Sequence, residues 1–263
     1  MAIDNDIYNR LGETWWDEDN VLNILHGSCT PGRMAYFREV LRTHLQNSYA
    51  GRTALDVGCG CGFLAEEFTR LGFSVTGVDP SEVAISAARK HAGQAGLNIR
   101  YVVGAGEELP VGSSTFDVVY CCDVLEHVTD LPRVLEESAR VLRPGGLYLF
   151  DTINRTRTSR FLGIKVMQDW SLTKVTDATL HDWKMFITPD ELTAQLARRG
   201  LVVEEIAGLA PRARTPVVLK SFSDARRGRI SYGELSRRLD FGRVRNTRVS
   251  YMGYARKPAA AGN

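Results

Sequence analysis

Three groups of residues have the types and spacing that chemistry needs. The first is LDVGCGCG, Leu55–Gly62. Glycines let a backbone turn sharply and approach a ligand closely, and a helix start offers free N–H groups to an anion. The G-x-G-x-G spacing of Gly58, Gly60 and Gly62 differs from the G-x-G-x-x-G of a dinucleotide loop. Asp56, two residues before the first glycine, suits an ammonium group better than a pyrophosphate. Asp79, followed by Pro80, ends a second strand-like run, where a carboxylate can accept from both ribose hydroxyls. The second group is Asp123, Glu126 and His127, at i, i+3 and i+4. If a helical turn starts there, all three project to one side. With Asn154 as a fourth ligand they suit Mg²⁺, Mn²⁺ or Zn²⁺; Glu126 and His127 read equally as a capping and packing pair. The third group is a general base, since a histidine titrates near neutral pH and can take a proton; His127 and His181 are the candidates, and His181 reads from the residues alone as a polar residue of a covering segment. Asp182 adjoins His181, but neighbours in sequence do not face each other, so no dyad is expected.

Other reactive side chains read more simply. His91 is expected on a helix surface, His44 near a helix C-terminus where it favours the dipole, and His26 in a Trp-Trp-Asp segment. Trp15 and Trp16 are expected as core anchors, with one of them covering the ligand. Cys59 and Cys61 read as small loop fillers and Cys121 and Cys122 as buried strand residues. Five cysteines is an odd count without disulfide or paired zinc spacing, which points to a reduced, cytoplasmic protein.

The elements that must position these groups follow from periodicity. Apolar residues recur at helical spacing over 34–45, and 61–71 repeats the pattern; Ser81 caps a helix to about Gln94, and 131–142 is helical up to Pro144-Gly145-Gly146. Between them TALDV (Thr53–Val57), SVTGV (Ser74–Val78), 99–103, FDVVYC (Phe116–Cys121) and LYLFDTI (Leu147–Ile153) are short apolar strands. A helix over 189–199 and strands at 201–206 and 247–255 follow. This alternation predicts an α/β, doubly wound, mostly parallel sheet of seven strands. Residues 1–50 are expected to be a helical cover and 51–257 the ligand-binding domain, with insertions near 156–187 and 211–245 and a disordered tail at 258–263.

With the glycine loop, Asp56, Asp79, FDVV and LRPGG in this order, the chain resembles the class I S-adenosylmethionine-dependent methyltransferases. The resemblance implies that Asp56, Gly58, Cys59, Gly60 and Gly62 surround the methionine end of S-adenosylmethionine and that Asp79 binds its ribose. VGAGEELP (Val103–Pro110) stands where family members often have GDAEELP, which places Ala105, Gly106 and Glu107 near the adenine; Ala105 replaces the usual acid. Cys122 belongs to the same donor side. TWWDEDNVLNILH (Thr14–His26), CDVLEHVTD (Cys122–Asp130), DTINR (Asp151–Arg155), LHDWKMFITPDEL (Leu180–Leu192) and VSYMGY (Val249–Tyr254) are similar to the ubiquinone-biosynthesis O-methyltransferases, which methylate polyprenylated catechols. The resemblance implies O-methylation of a phenolic or enolic hydroxyl on an apolar small molecule; the alternative is N-, C- or carboxyl-methylation of a natural product. In some members the DxxEH element holds a metal. RRGRISYGELSRRL (Arg226–Leu239) has no counterpart in this likeness.

Bulk properties bound the partners. The formal charge of +2 conceals a division: residues 198–263 hold 15 Lys+Arg against 5 Asp+Glu, and the first 197 hold 18 against 26. Nucleic acid is not expected, because no stacking platform for bases accompanies the basic part. Arg155, Arg157, Arg160 and Lys165 interleave with Phe161, Leu162, Ile164 and Val166. That reads as an amphipathic basic helix, either a lid over the acceptor or a contact with an anionic membrane surface. No run reaches the ~18 apolar residues of a membrane span. The oligomeric state is open.

Overall fold

The computed structural model describes residues 14–20, 23–169 and 181–259. Five short apolar runs become parallel strands: β1 (Thr53–Val57), β2 (Ser74–Asp79), β3 (Arg100–Val103), β4 (Phe116–Cys121) and β5 (Leu142–Ile153). Both faces of this sheet are covered, which is why the strands are near-continuously apolar. Tyr120 and Leu149 face a core with Phe37, Leu41, Phe68 and Ile85. Val119 and Phe150, one residue on, face the opposite core with Leu135, Leu192 and Leu196. The helices behind these cores are α1 (Thr30–Leu45), α2 (Phe63–Leu71) and α3 (Glu82–Gln94) on one side, and α4 (Leu131–Val141) and α5 (Pro189–Ala197) on the other.

The chain then adds β6 (Val202–Pro211), α6 (Thr215–Arg226), α7 (Tyr232–Leu239), β7 (Phe241–Val244) and β8 (Ser250–Arg256). The sheet order is β3-β2-β1-β4-β5-β8-β6-β7, with β8 antiparallel to both β5 and β6. The sheet has eight strands where seven were expected. The extra one, β7, lies inside the 211–245 segment and pairs antiparallel with the end of β6. Strand order reverses between β1 and β4, which opens a crevice beyond their C-terminal ends.

Local signals set the helix starts. The Ser81 hydroxyl accepts from the Ala84 N–H at 3.0 Å, and the Asp130 carboxylate accepts from the Arg133 N–H at 3.0 Å. Thr188 and Glu191 form a reciprocal capping box for α5. Each such cap contributes about 1 kcal/mol. Two boundaries differ from expectation. α2 begins at Phe63 rather than 61, because Gly62 is left-handed (φ +88) and belongs to the loop. The Pro144-Gly145-Gly146 bend lies inside β5 instead of capping α4, with the Gly145 N–H bonded to the Lys257 carbonyl at 2.8 Å.

Of the expected cover segment, Thr14–Asn20 and the stretch from Asn23 into α1 are described; residues 1–13 lie outside the described residues. The basic stretch begins as a turn, Arg157–Ser159, capped by Thr156, and continues as wide helical turns over Arg160–Asp169. Its exposed apolar residues are Phe161 and Leu162. The rest of that insertion through 180, and residues 260–263 of the expected tail, lie outside the described residues.

Candidate active site

A cavity of about 410 Å³ occupies the crevice above β1 and β4. The glycine loop forms its floor. The Gly58 and Cys59 N–H groups are used by the Val78 carbonyl, at 2.8 and 3.1 Å, which ties the loop to β2. Gly60 (φ +49) takes a conformation that disfavours a side chain, and a methyl there would come within 2.9 Å of the Trp15 ring.

Two carboxylates define the electrostatics. Asp79 accepts the Gly60 N–H on one oxygen and the Ser81 N–H on the other, both at 2.9 Å. Each oxygen keeps a lone pair for a further donor, as a ribose diol requires. Burial raises its pKa, opposed by these two N–H groups. Asp56 is buried at the end of β1, and its Oδ2 accepts no hydrogen bond from the protein. Burial, then the nearby Asp79, raise its pKa. A buried carboxylate with an open oxygen and an elevated pKa is a receptor for an ammonium or other cationic donor.

The cover closes over this floor. Trp15, Leu25, Thr30 and Arg33 of this cover line the cavity, with the Trp15 ring packed against Gly60 of the loop. The Trp16 indole N–H donates to the Cys61 carbonyl at 3.2 Å, and its ring stacks on His91 at 3.5 Å. His91 is therefore not the free surface residue expected; it is partly covered by Trp16 and bonded to the buried Glu66 at 2.6 Å. Arg33, buried in α1, pairs with both Asp123 and Asp151. The two carboxylates hold it firmly charged against the cost of burial. Asp151, buried beside one cation shared with a second acid, is pushed up to about 6.

This ion triplet engages one residue of the expected metal set, Asp123. Asp123 is not the start of a helix: it is left-handed (φ +54), and its N–H donates to Asp151 at 3.0 Å while its carboxylate turns to Arg33. Asn154 donates its side-chain amide to the Thr247 carbonyl at 2.7 Å. Glu126, His127 and His181 come together instead, with one ligand atom from each lying within 4.8 Å of the others. The imidazoles are 5.1 Å apart between centroids. Glu126 accepts from the Thr152 hydroxyl at 2.8 Å. Burial, then Asp123, push Glu126 up to about 8; burial pushes His127 down to about 4 and His181 down to about 3. Both imidazoles are thus neutral at pH 7, the form that ligates a metal. Asp182 does not act on His181; its carboxylate accepts the Lys184 N–H at 2.9 Å.

Asp56, Gly58, Cys59, Gly60, Asp79, Pro80, Gly106, Glu107, Cys122, Asp123 and His127 line the cavity. Gly62 and Ala105 do not: Gly62 sits behind the loop as the N-cap of α2. All five cysteines are buried and unpaired in disulfides. Arg33 and Thr30 escaped the sequence reading, although an arginine beside Met34 and Phe37 on the apolar face of a helix was a signal for a buried charge.

The family described as a methyltransferase domain matches residues 55–150, which span the loop, both carboxylates and β5 as far as Phe150. The ubiquinone biosynthesis O-methyltransferase of Methylobacterium sp. (strain 4-46) is 35% identical over 259 residues, covering 96% of this chain and 94% of the other. That of Bradyrhizobium sp. (strain ORS 278) is 39% identical, covering 77% and 81%. The chain belongs to the ubiquinone biosynthesis O-methyltransferase family. It is an S-adenosylmethionine-dependent methyltransferase, and the cavity's open carboxylate and ribose-type acceptor fit that donor. Solved structures share the fold at lower identity. A Pyrococcus horikoshii protein superposes with a TM-score of 0.61 at 18% identity, covering 95% of this chain and 98% of the other. The [4+2]-cyclase SpnF superposes with a TM-score of 0.60 at 18%, covering 99% and 100%. A cyclase on the same scaffold shows that fold alone does not set the reaction.

Proposed function

We propose that this methyltransferase transfers a methyl group to a phenolic or enolic hydroxyl of an apolar small molecule, a polyprenylated catechol above all, and that Glu126, His127 and His181 hold a divalent cation for that step. One observation carries the reading: two imidazoles and the Glu126 carboxyl group converge at the edge of the donor cavity, which His127 itself lines.

The donor carries its own leaving group, a sulfonium, so the protein has to bind it and align the acceptor oxygen behind the methyl. Asp79 would receive the ribose hydroxyls, Asp56 would pair with the ammonium, and the Arg33 guanidinium, fixed by Asp123 and Asp151, would pair with the donor carboxylate; all three residues line the cavity. Trp15 and the glycine loop exclude water from the methionine end.

The acceptor's proton decides between two roles for the histidines. A phenol has a pKa of about 10. Transfer from it to His127, pushed down to about 4, runs uphill by roughly 8 kcal/mol at 1.36 kcal/mol per pKa unit. The imidazoles alone are therefore poor general bases for this acceptor. A bound Mg²⁺, Mn²⁺ or Zn²⁺ would act as a Lewis acid that lowers the phenol's pKa. The residues present fit such an ion: their donors would be neutral nitrogens and the Glu126 carboxyl group, which would give up its proton to a bound cation, and Thr152 holds Glu126 by a hydrogen bond. The acceptor is a small molecule rather than a nucleic acid. The enzyme works in the cytoplasm, with the Arg157–Asp169 turns as the acceptor-side lid or the face that meets an anionic membrane. Among the described residues no helix is long and apolar enough to cross a membrane.

Calorimetric titration of the purified protein with Mg²⁺, Mn²⁺ and Zn²⁺ tests the ligand set. His181→Ala is expected to lose at least one of these ions by about 10-fold or more while S-adenosylmethionine binds as in the wild type. Unchanged metal affinity, or no metal binding by the wild type, would remove the metal from the reaction.

A further inference from the structure

The 211–245 segment is the part of the chain that the family likeness leaves unexplained. Five of its ten cations pair with acidic neighbours: Arg212 with Asp240, Lys220 and Arg229 with Asp224, Arg238 with Glu234, Arg243 with Glu205 and Glu39. A further set of contacts is directed at one target, the described residues of the donor cover between Glu18 and Gly32.

These contacts grip the cover at three places. At its start, the Gly233 N–H donates to the Glu18 carbonyl at 2.8 Å, and Arg237 pairs with the Glu18 carboxylate at 2.7 Å. In its middle, the buried Ser236 hydroxyl donates to the Tyr232 carbonyl of its own helix at 2.8 Å and sits 3.2 Å from the Asn23 carbonyl, and a methyl on Gly27 would stand 2.9 Å from the Ser236 Cβ. Ile24 packs against Leu235 and Leu239 of the same helix. At its end, β7 crosses α1 at Gly32, where a methyl would meet the Phe241 carbonyl oxygen at 2.6 Å. The gripped residues alternate in sequence with those that line the donor cavity: Trp15 lies before Glu18, Leu25 and Thr30 lie between, and Arg33 follows Gly32. One stretch therefore presents one side to the donor and the other to α7 and β7.

We propose that α7 and β7 form a clamp that holds the donor cover closed, with Arg237 and Ser236 as positioning residues, so that exchange of the used donor depends on this clamp loosening. The inference rests on the donor-site reading above. It gives the basic insertion a role in donor retention, acting through the cover, without any contact to donor or acceptor.

The rate at which S-adenosylhomocysteine leaves the full-length protein, followed by stopped-flow displacement with excess S-adenosylmethionine, tests it. Reversing the exposed pair with Arg237→Glu is expected to speed release about three- to fivefold, the range an exposed ion pair can supply. Combining Arg237→Glu with Glu18→Arg is expected to return the rate to within about twofold of wild type, which a merely structural lesion would not do. Ser236→Ala is expected to speed release by a similar factor, with acceptor KM unchanged. Release rates that stay at the wild-type value in both single variants, or a double variant that fails to recover, would overturn the clamp. Asp79→Ala separates the two readings. If it loses S-adenosylhomocysteine while Arg237→Glu and Ser236→Ala release at the wild-type rate, the clamp alone fails. If it binds as the wild type does, the donor site fails and the clamp with it.

Discussion

Single residues carry most of the donor recognition. Asp79 is set by backbone, since both its oxygens are already oriented by N–H groups of the glycine loop and of α3's start. Asp79→Ala removes the ribose acceptor and frees the loop together, so donor affinity is expected to fall about 100-fold, as for loss of two hydrogen bonds to a charged group; calorimetry reads it. Asp56 adds a pH dependence. Its pKa is raised in the empty protein, and a cationic ammonium beside it favours the ionised form. Donor binding should therefore release a proton, and affinity should rise as pH climbs through that raised pKa. Titrations in buffers of different ionisation enthalpy would show the release, and heats independent of the buffer would contradict it. Asp56 and Asp79 were legible in the sequence because each sits at a strand end fixed by glycine or proline. Asp123 was not, because its role depends on a left-handed turn and on Arg33, 90 residues earlier.

Elements matter where they bring distant chemistry together. Arg33 joins α1 to Asp123, just after β4, and to Asp151 in β5. Arg33→Met leaves Asp151 buried without its cation. It is expected to cost roughly 3–5 kcal/mol of stability at neutral pH, the usual effect of breaking a buried pair. A carboxylate with a raised folded pKa is destabilising once ionised, so part of this loss should return on acidification to about pH 5, where Asp151 takes up a proton. Urea unfolding at the two pH values measures both effects; a variant as stable as the wild type at neutral pH would contradict the assignment. The alternation of strands and helices was readable because the central strands β1 and β4 are apolar on both faces and α3, α4 and α5 each have a side-chain cap at their start. β7 was not: FGRV is short, half polar and at the sheet's edge, and it forms only because β6 offers it a partner. The meeting of His181 with Glu126 and His127 was likewise hidden, since it joins residues far apart in the sequence.

At the scale of the molecule, the division of charge becomes an arrangement of pairs. The acidic part forms the proposed donor site, and seven cations of the basic part pair within it or with Glu18 and Glu39 of the cover. Such exposed pairs contribute up to about 1 kcal/mol each; their use is in setting which surfaces meet. The molecule is then a donor site built by β1, β2 and β4, closed on one side by the cover and bordered on the other by Glu126, His127 and His181. The most direct test joins these parts in one reaction: the initial rate of methyl transfer from S-adenosylmethionine to the hydroxyl of a polyprenylated catechol, before chelation, after it, and with Mg²⁺, Mn²⁺ or Zn²⁺ restored. The account predicts an O-methylated product, a rate that falls about 100-fold or more on chelation, and recovery with a divalent ion. An enzyme that binds the donor but methylates no hydroxyl, or that turns over equally well without metal, would contradict it.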